Sequence, residues 1–285
     1  MVQGKQGQVL TLQGIAGGFG GFARRFVRAN RHATQPQAQQ PEQTHEPRSL
    51  ELKVAGKAPK LASLAKNAEV VLEKRGLLDT TCHVVLVLDA SASMAYQYAD
   101  GRVQELVETV MPLAVHFAEN QALDCWIFST LHRHLTPVTL QNVAGYVARE
   151  NGGFTHWTLG VHNYESQIIR ALIEAHRNAP MPVLVLFMSD GGISDTGIYR
   201  LIEKAENLPI FWRFFGISGY DYGDLETLGA TPDRAFNHAD FFAIEDLHSH
   251  SASELYERLL AGFPEWLVAA RRAGVLSQGD SHNAQ

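Results

Sequence analysis

From about residue 80 onward, short and wholly apolar runs alternate with longer segments whose apolar residues recur every three or four positions. Residues 83–88 (His-Val-Val-Leu-Val-Leu) are almost entirely apolar and β-branched, the pattern of a parallel strand covered on both faces, which predicts a central strand. Val103, Leu106, Val107, Val110, Ala114 and Phe117 follow at helical spacing, with Pro112 expected to kink or break that helix. Residues 123–128 and 134–138 read as two short strands joined by a polar turn, a hairpin at a sheet edge. A helix near 143–149, a Gly-Gly loop, a long helix over 160–177 and an apolar strand over 183–188 come next. Asp195 is expected to cap a helix reaching Glu206, strands follow at 210–216 and 241–244, and Ser251 with Glu254 forms a capping box for the closing helix. Repeated β-α units with apolar strands define an α/β fold: a doubly wound, mostly parallel sheet with one antiparallel edge strand. Ligands of such sheets sit beyond the carboxyl ends of the strands.

The first fifty residues break this pattern. Gly17 to Gly21 lead into Arg24, Arg25, Arg28 and Arg31, then into a Gln/Pro tract from Gln35 to Pro47. So little apolar surface cannot offset the entropy of ordering the chain. The expected organisation is a disordered leader over 1–48, an extension over 49–79 packing on the domain, the domain itself over 80–275, and a disordered tail over 276–285. Within the extension, 50–54 reads as an extended piece and 61–74 as a helix.

Composition changes the picture little. With 285 residues, 45% hydrophobic content and a formal charge of -6, the chain fits one globular domain and has no strong electrostatic claim on nucleic acid. Cys82 and Cys125, both in apolar strands, read as small core residues. This favours a reducing compartment, and a cytoplasmic location is expected. No apolar run approaches the ~20 residues that span a bilayer.

The chemistry lies in three loops that follow strands. Asp89-Ala90-Ser91-Ala92-Ser93 closes the first, Thr155 follows Gly152-Gly153 in the second, and Ser189-Asp190-Gly191-Gly192 ends the third. Asp89 with the hydroxyls of Ser91 and Ser93 gives three oxygen donors. Thr155, or Thr158 one helical turn on, adds a fourth, and Asp190 a second carboxylate. Hard oxygens of this kind suit Mg²⁺, or Mn²⁺ or Ca²⁺. Two carboxylates among neutral hydroxyls leave the cation positive, with a position open for a carboxylate from a protein partner. Tyr96, Trp157 and Tyr220 sit in loops near that face, where exposed aromatics would serve an interface. His132 and His134 alternate on one strand and His248 and His250 flank a loop; without an acidic partner at ligand spacing, both pairs read as surface histidines.

Residues 84–94 resemble the first strand and metal-ion-dependent adhesion site of von Willebrand factor A domains. A narrower likeness to the tellurium-resistance, TerF-type branch rests on residues 103–117, Ala122-Leu123-Asp124, 137–142, Pro209-Ile210-Phe211-Trp212, 237–247 and 255–267. The resemblance implies metal ligands at Asp89, Ser91, Ser93, Thr155 and Asp190, and a non-enzymatic interaction module in a stress or tellurium-resistance setting. Ala92 departs from the glycine usual in the motif, which would stiffen the loop if that position needs a positive φ. Phe154 stands between the glycines and the threonine, and Gly192 replaces a frequent acidic residue. Two other functions remain open: a metal-free scaffold, and a phosphotransfer enzyme using Asp89 as nucleophile.

Overall fold

The computed structural model describes residues 49–193, 197–230 and 237–277. Helices α1 (Ser49–Ala55) and α2 (Ala62–Lys74) precede strand β1 (His83–Asp89). Then come α3 (Ala95–Ala99), α4 (Arg102–Phe117), β2 (Asp124–Phe128), β3 (His132–His134), α5 (Tyr146–Arg149) and α6 (Glu165–His176). The chain continues through β4 (Val183–Gly191), α7 (Ile198–Lys204), β5 (Ile210–Tyr220), β6 (Ala239–Ile244), α8 (Ala252–Leu259) and α9 (Phe263–Arg272).

The six strands form one sheet in the order β3-β2-β1-β4-β5-β6, with β3 antiparallel to β2 and every other pairing parallel. From β1 the chain winds first toward β2 and β3 and later toward β4, β5 and β6. The loops leaving β1 and β4 therefore part company and open a crevice between them, the place where doubly wound sheets bind ligands. Strand alternation sorts the core into two layers. Val84, Leu86 and Leu88 face α1, α2, α4, α8 and α9; Val85 and Val87 face α6, α7 and the turn around Leu225. Each fully buried Val or Leu contributes about 1.5–3 kcal/mol, so β1, buried on both faces, anchors the sheet.

Four local expectations meet a different outcome. The segment 50–54 is helical: Leu50 and Val54 are buried while Leu52 between them is 59% exposed, so the i, i+4 pair lies on one helix face and an apparent two-residue alternation was a helix in disguise. Pro112 sits inside an unbroken α4; it forfeits the bond to the Glu108 carbonyl, and the burial of Met111, Leu113 and Ala114 around it outweighs a cost of about 3 kcal/mol. The helix expected from Gly160 begins at Glu165. Gly160 lies at φ +100° with Thr130 Oγ1 2.3 Å from where a Cβ would stand, and the chain from 159 to 164 is tied instead to the β2–β3 loop through Leu131 N–H to Leu159 O and Tyr164 N–H to Ser129 O. Leu276 is buried and donates its N–H to Ala270 O, so packing extends into the stretch assigned to the tail. Asp195, the expected cap of α7, lies outside the described residues, as do 1–48 and 278–285. The capping box of α8 is present, with Ser251 and Glu254 bonded reciprocally. Cys82 and Cys125 are buried free thiols.

Candidate functional site

Register brings the crevice chemistry together. Val87 pairs with Phe187, so two residues on Asp89 stands beside Ser189, both turned toward the α6 face by strand alternation. The Ser189 hydroxyl lies 3.4 Å from Asp89 Oδ2, the Ser91 N–H donates to Asp89 Oδ1 at 2.8 Å, and the Asn163 side-chain amide donates to Asp89 Oδ2 at 3.0 Å. The Ser91 and Ser93 hydroxyls lie 3.0 Å apart. Asp190 completes the cluster, its carboxyl within the influence of Ser93, Asn163 and the Asp89 carboxyl. A small hollow of about 260 Å³ opens over these groups, bordered by Ser93, His162, Asn163, Gly191 and Gly192.

A buried and a half-buried carboxyl group set side by side cannot both ionise cheaply in the absence of a cation. Burial, then the charge of Asp190, pushes Asp89 up to about 7, against the bonds from Ser91. Burial raises Asp190 as well. The donor set is all oxygen apart from the Asn163 amide, the chemistry that fits a hard divalent cation.

Behind the cluster an aromatic brace fixes the loop. The Tyr98 hydroxyl donates to the Asp89 carbonyl at 2.9 Å, its ring stacks on Phe154 at 4.3 Å, and Trp157 meets it edge-on at 5.4 Å. Trp157 is 1% exposed and gives its indole N–H to Glu150 O. It is a buried strut and not the exposed contact expected from sequence, because its ring is needed to wedge the 150–157 turn against α3. Tyr96 and Tyr220 are 64% and 83% exposed. Ala92 opens a short 3₁₀ turn, Ala92–Met94, and is absent from the positive-φ positions, so the departure from glycine costs the loop nothing.

Thr155 is exposed, with its hydroxyl 3.1 Å from His156 Nδ1, and it borders a separate groove alongside Tyr98, Gln104 and Gly153. Thr158 is also exposed, at φ 47°, a left-handed conformation rare for a β-branched residue. The side chain that the stretch before α6 presents to Asp89 is Asn163. In the sequence alone, residues 160–164 resemble the first turn of a helix, which hides Asn163, and Ser189 stands out only as a member of its loop.

The extension of β5 beyond β4 steadies Asp190. A Cβ on Gly219 would stand 1.5 Å from the Asp190 carbonyl oxygen. Gly219→Ala must therefore push the Asp190 backbone aside, and denaturant titration should show a loss of about 1–3 kcal/mol, the usual cost of overpacking.

A doubly wound sheet with Asp-x-Ser-x-Ser at the mouth of its first strand, answered by Asp190 across the switch point, defines a von Willebrand factor A type of domain. The sequence model of the vWA-TerF-like family, described as the vWA found in the TerF C terminus, matches residues 81–276, and the chain belongs to that family. A curated relative, "Uncharacterized protein YcbR" of Bacillus subtilis (strain 168), is 33% identical over 218 residues, covering 75% of this chain and 88% of the relative. Among solved structures, the ArnB paralog VWA2 from Sulfolobus acidocaldarius matches at 18% identity and a TM-score of 0.38, over 64% of this chain and 44% of that one. Proximal thread matrix protein 1 from the mussel byssus, in a structure titled as having a zinc occupied MIDAS motif, matches at 15% identity and a TM-score of 0.44, over 64% of this chain and 48% of that one. The chain thus spans under half the length of these two solved chains. Among the described residues no helix is long and apolar enough to cross a membrane.

Proposed function

We propose that the domain is a metal-dependent protein-interaction module, holding Mg²⁺ or a similar divalent cation (Mn²⁺ or Ca²⁺) at Asp89, Ser91, Ser93 and Asp190. The observation that carries this reading is the pairing of buried Asp89 with half-buried Asp190, gathered with two serine hydroxyls beside one open hollow. Once bound, the cation would supply Lewis-acid affinity for a carboxylate oxygen. Asn163, in the stretch before α6, occupies the place beside Asp89, and Thr155, the ligand that the motif implies, would join only after movement of the 152–158 segment. Tyr96, exposed in α3 just past Ser93, and Tyr220, exposed at the end of β5 beside Gly191, are assigned to the rim that meets the partner, which would contribute an Asp or Glu side chain. A stress or tellurium-resistance setting rests on the family alone, and two unpaired buried thiols support a reducing, cytoplasmic location.

A non-catalytic role is favoured by the state of Asp89. It is fully buried, and its two carboxylate oxygens are engaged by Ser91, Asn163 and Ser189; a bare cation is small enough to reach them, whereas a phosphoryl group, far bulkier, has no line of approach for nucleophilic attack. The test is calorimetric titration of the full chain with MgCl₂, paired with capture of partners in Mg²⁺ and in EDTA. The parent should give a saturable heat and EDTA-sensitive capture, both absent in Asp89→Ala. Equal Mg²⁺ binding by Asp89→Ala would overturn the assignment.

A further inference from the structure

A second polar cluster lies at the other end of β1. His83 opens the strand and Asp89 closes it, which separates the two clusters by about 20 Å at roughly 3.3 Å per residue. Alternation turns His83 to the same face as Val85 and Val87, and Asp124 opens β2 on that face too. Helix α6 covers this layer with Ile168, Ile169 and Leu172, and His176, four residues past Leu172, hangs from the last turn directly over the strand ends. On the far side His134 of β3 pairs in register with Trp126.

Three other segments therefore aim an imidazole at the one carboxylate of β2. His83 Nε2 lies 3.2 Å from Asp124 Oδ2, and His176 Nε2 lies 4.0 Å from the same oxygen. His134 Nε2 bonds the other oxygen, Oδ1, and its ring stacks on Trp126 at 4.4 Å. The Trp126 indole N–H points at Oδ2 from 3.4 Å. Ligand atoms of His83, Asp124 and His176 all lie within 4.8 Å of one another. Most telling is His176: its Nε2 is buried and has no hydrogen-bond partner, although a carboxylate stands just beyond bonding range. A buried ring nitrogen left unsatisfied costs about 1–3 kcal/mol.

We propose that His83, Asp124 and His176 form a binding site for a transition-metal cation of the Zn²⁺ class, separate from the crevice at Asp89. Bonds of about 2.0–2.1 Å in tetrahedral geometry set donors roughly 3.3 Å apart; the His83–Asp124 spacing already matches, and His176 needs to close on Asp124 from 4.0 Å and on His83 from no more than 4.8 Å. Two imidazoles and one carboxylate make a borderline-soft set that selects Zn²⁺, Co²⁺ or Ni²⁺ over Mg²⁺. When the cation binds, His83 carries its ring proton on Nδ1, so that Nε2 presents a lone pair and its hydrogen bond to Asp124 gives way to two bonds to the metal. His134 and Trp126 hold the carboxylate in orientation, as the outer partners of metal-bound groups do. A cavity of about 390 Å³, bordered by His83, His176, Asn178 and Met181, leaves the fourth position open to water or to an added ligand.

The experiment uses the full chain carrying Asp89→Ala, so that the crevice contributes nothing, titrated with ZnCl₂ by calorimetry and with CoCl₂ by visible absorption. One equivalent of Zn²⁺ should bind at micromolar or better affinity, and Co²⁺ should give the intense absorption of a tetrahedral centre. Adding His176→Ala should weaken Zn²⁺ at least tenfold and abolish that absorption, with the circular dichroism spectrum unchanged; His83→Gln, which keeps a hydrogen bond to Asp124, should do the same. Zn²⁺ affinity unaltered by both substitutions, or no stoichiometric binding in the Asp89→Ala chain, would overturn the proposal.

Discussion

In metal-free buffer at pH 8, Asp89→Asn should melt at a higher temperature than the parent. Asp89 has its folded pKa raised from 3.8 to about 7. A carboxyl group shifted in that direction contributes stability that is fully present below about pH 3.8 and is lost as pH rises through about 7. The metal-free parent should therefore weaken steadily between pH 4 and 8, whereas a neutral amide in the same place carries no such penalty and can donate to Asp190. At about 1.4 kcal/mol per pH unit the full span corresponds to roughly 4 kcal/mol. Relaxation of the surrounding dipoles reduces this, and about 2 kcal/mol, or roughly 4–8 °C for a domain of this size, is the expected gain. Saturating MgCl₂ should reverse the order, raising the parent and leaving the variant where it was. A variant that melts below the parent at pH 8 without metal would mean that the two carboxyl groups do not oppose each other.

Asp240→Ala should be among the most destabilising single changes in the sheet. Arg213, in the middle of β5, is 4% exposed. Its guanidinium is held by Asp240 on β6, by the Arg258 carbonyl at 2.7 Å from Nε, and by the Phe242 ring 4.6 Å away. Burial lowers the Arg213 pKa from its usual value, against the pull of Asp240, yet arginine stays charged at any accessible pH. Removing Asp240 leaves that charge inside the protein without its counter-ion, a change that typically costs about 3–5 kcal/mol. Because the Asp240 side chain is one third exposed, about 2–4 kcal/mol is expected by urea titration. Asp240→Asn, which retains an acceptor, should lose less than half of that. Equal losses for the two would show that the charge plays no part.

The sheet was readable because its central strands are buried on both faces and so carry apolar side chains at nearly every position, as in Val84 to Leu88. The helices were readable where their faces are long, as in α4. Reading failed where the period was too short to decide. Leu50-Glu51-Leu52-Lys53-Val54 satisfies both a two-residue and a four-residue repeat, and only the covering core selects the second. The crevice was half legible. Asp89, Ser91, Ser93 and Asp190 belong to loops whose position follows from strand order. Asn163 depends on the path of 159–164 across the β2–β3 loop, which bonds between distant backbone groups determine and no local pattern announces. The histidine cluster was hidden for the same reason: His132 and His134 drew notice by their spacing, while the acidic partner, Asp124, and the further imidazoles, His83 and His176, come from other strands and a helix end.

Strand β3 also governs what this molecule can do to its own kind. It is the outer rim on one side, only three residues long, and built of His132, Arg133 and His134. A rim that short and that polar gives an incoming chain too few free backbone groups to extend a ladder. Fibre-like stacking through this flank is thereby discouraged even at high concentration.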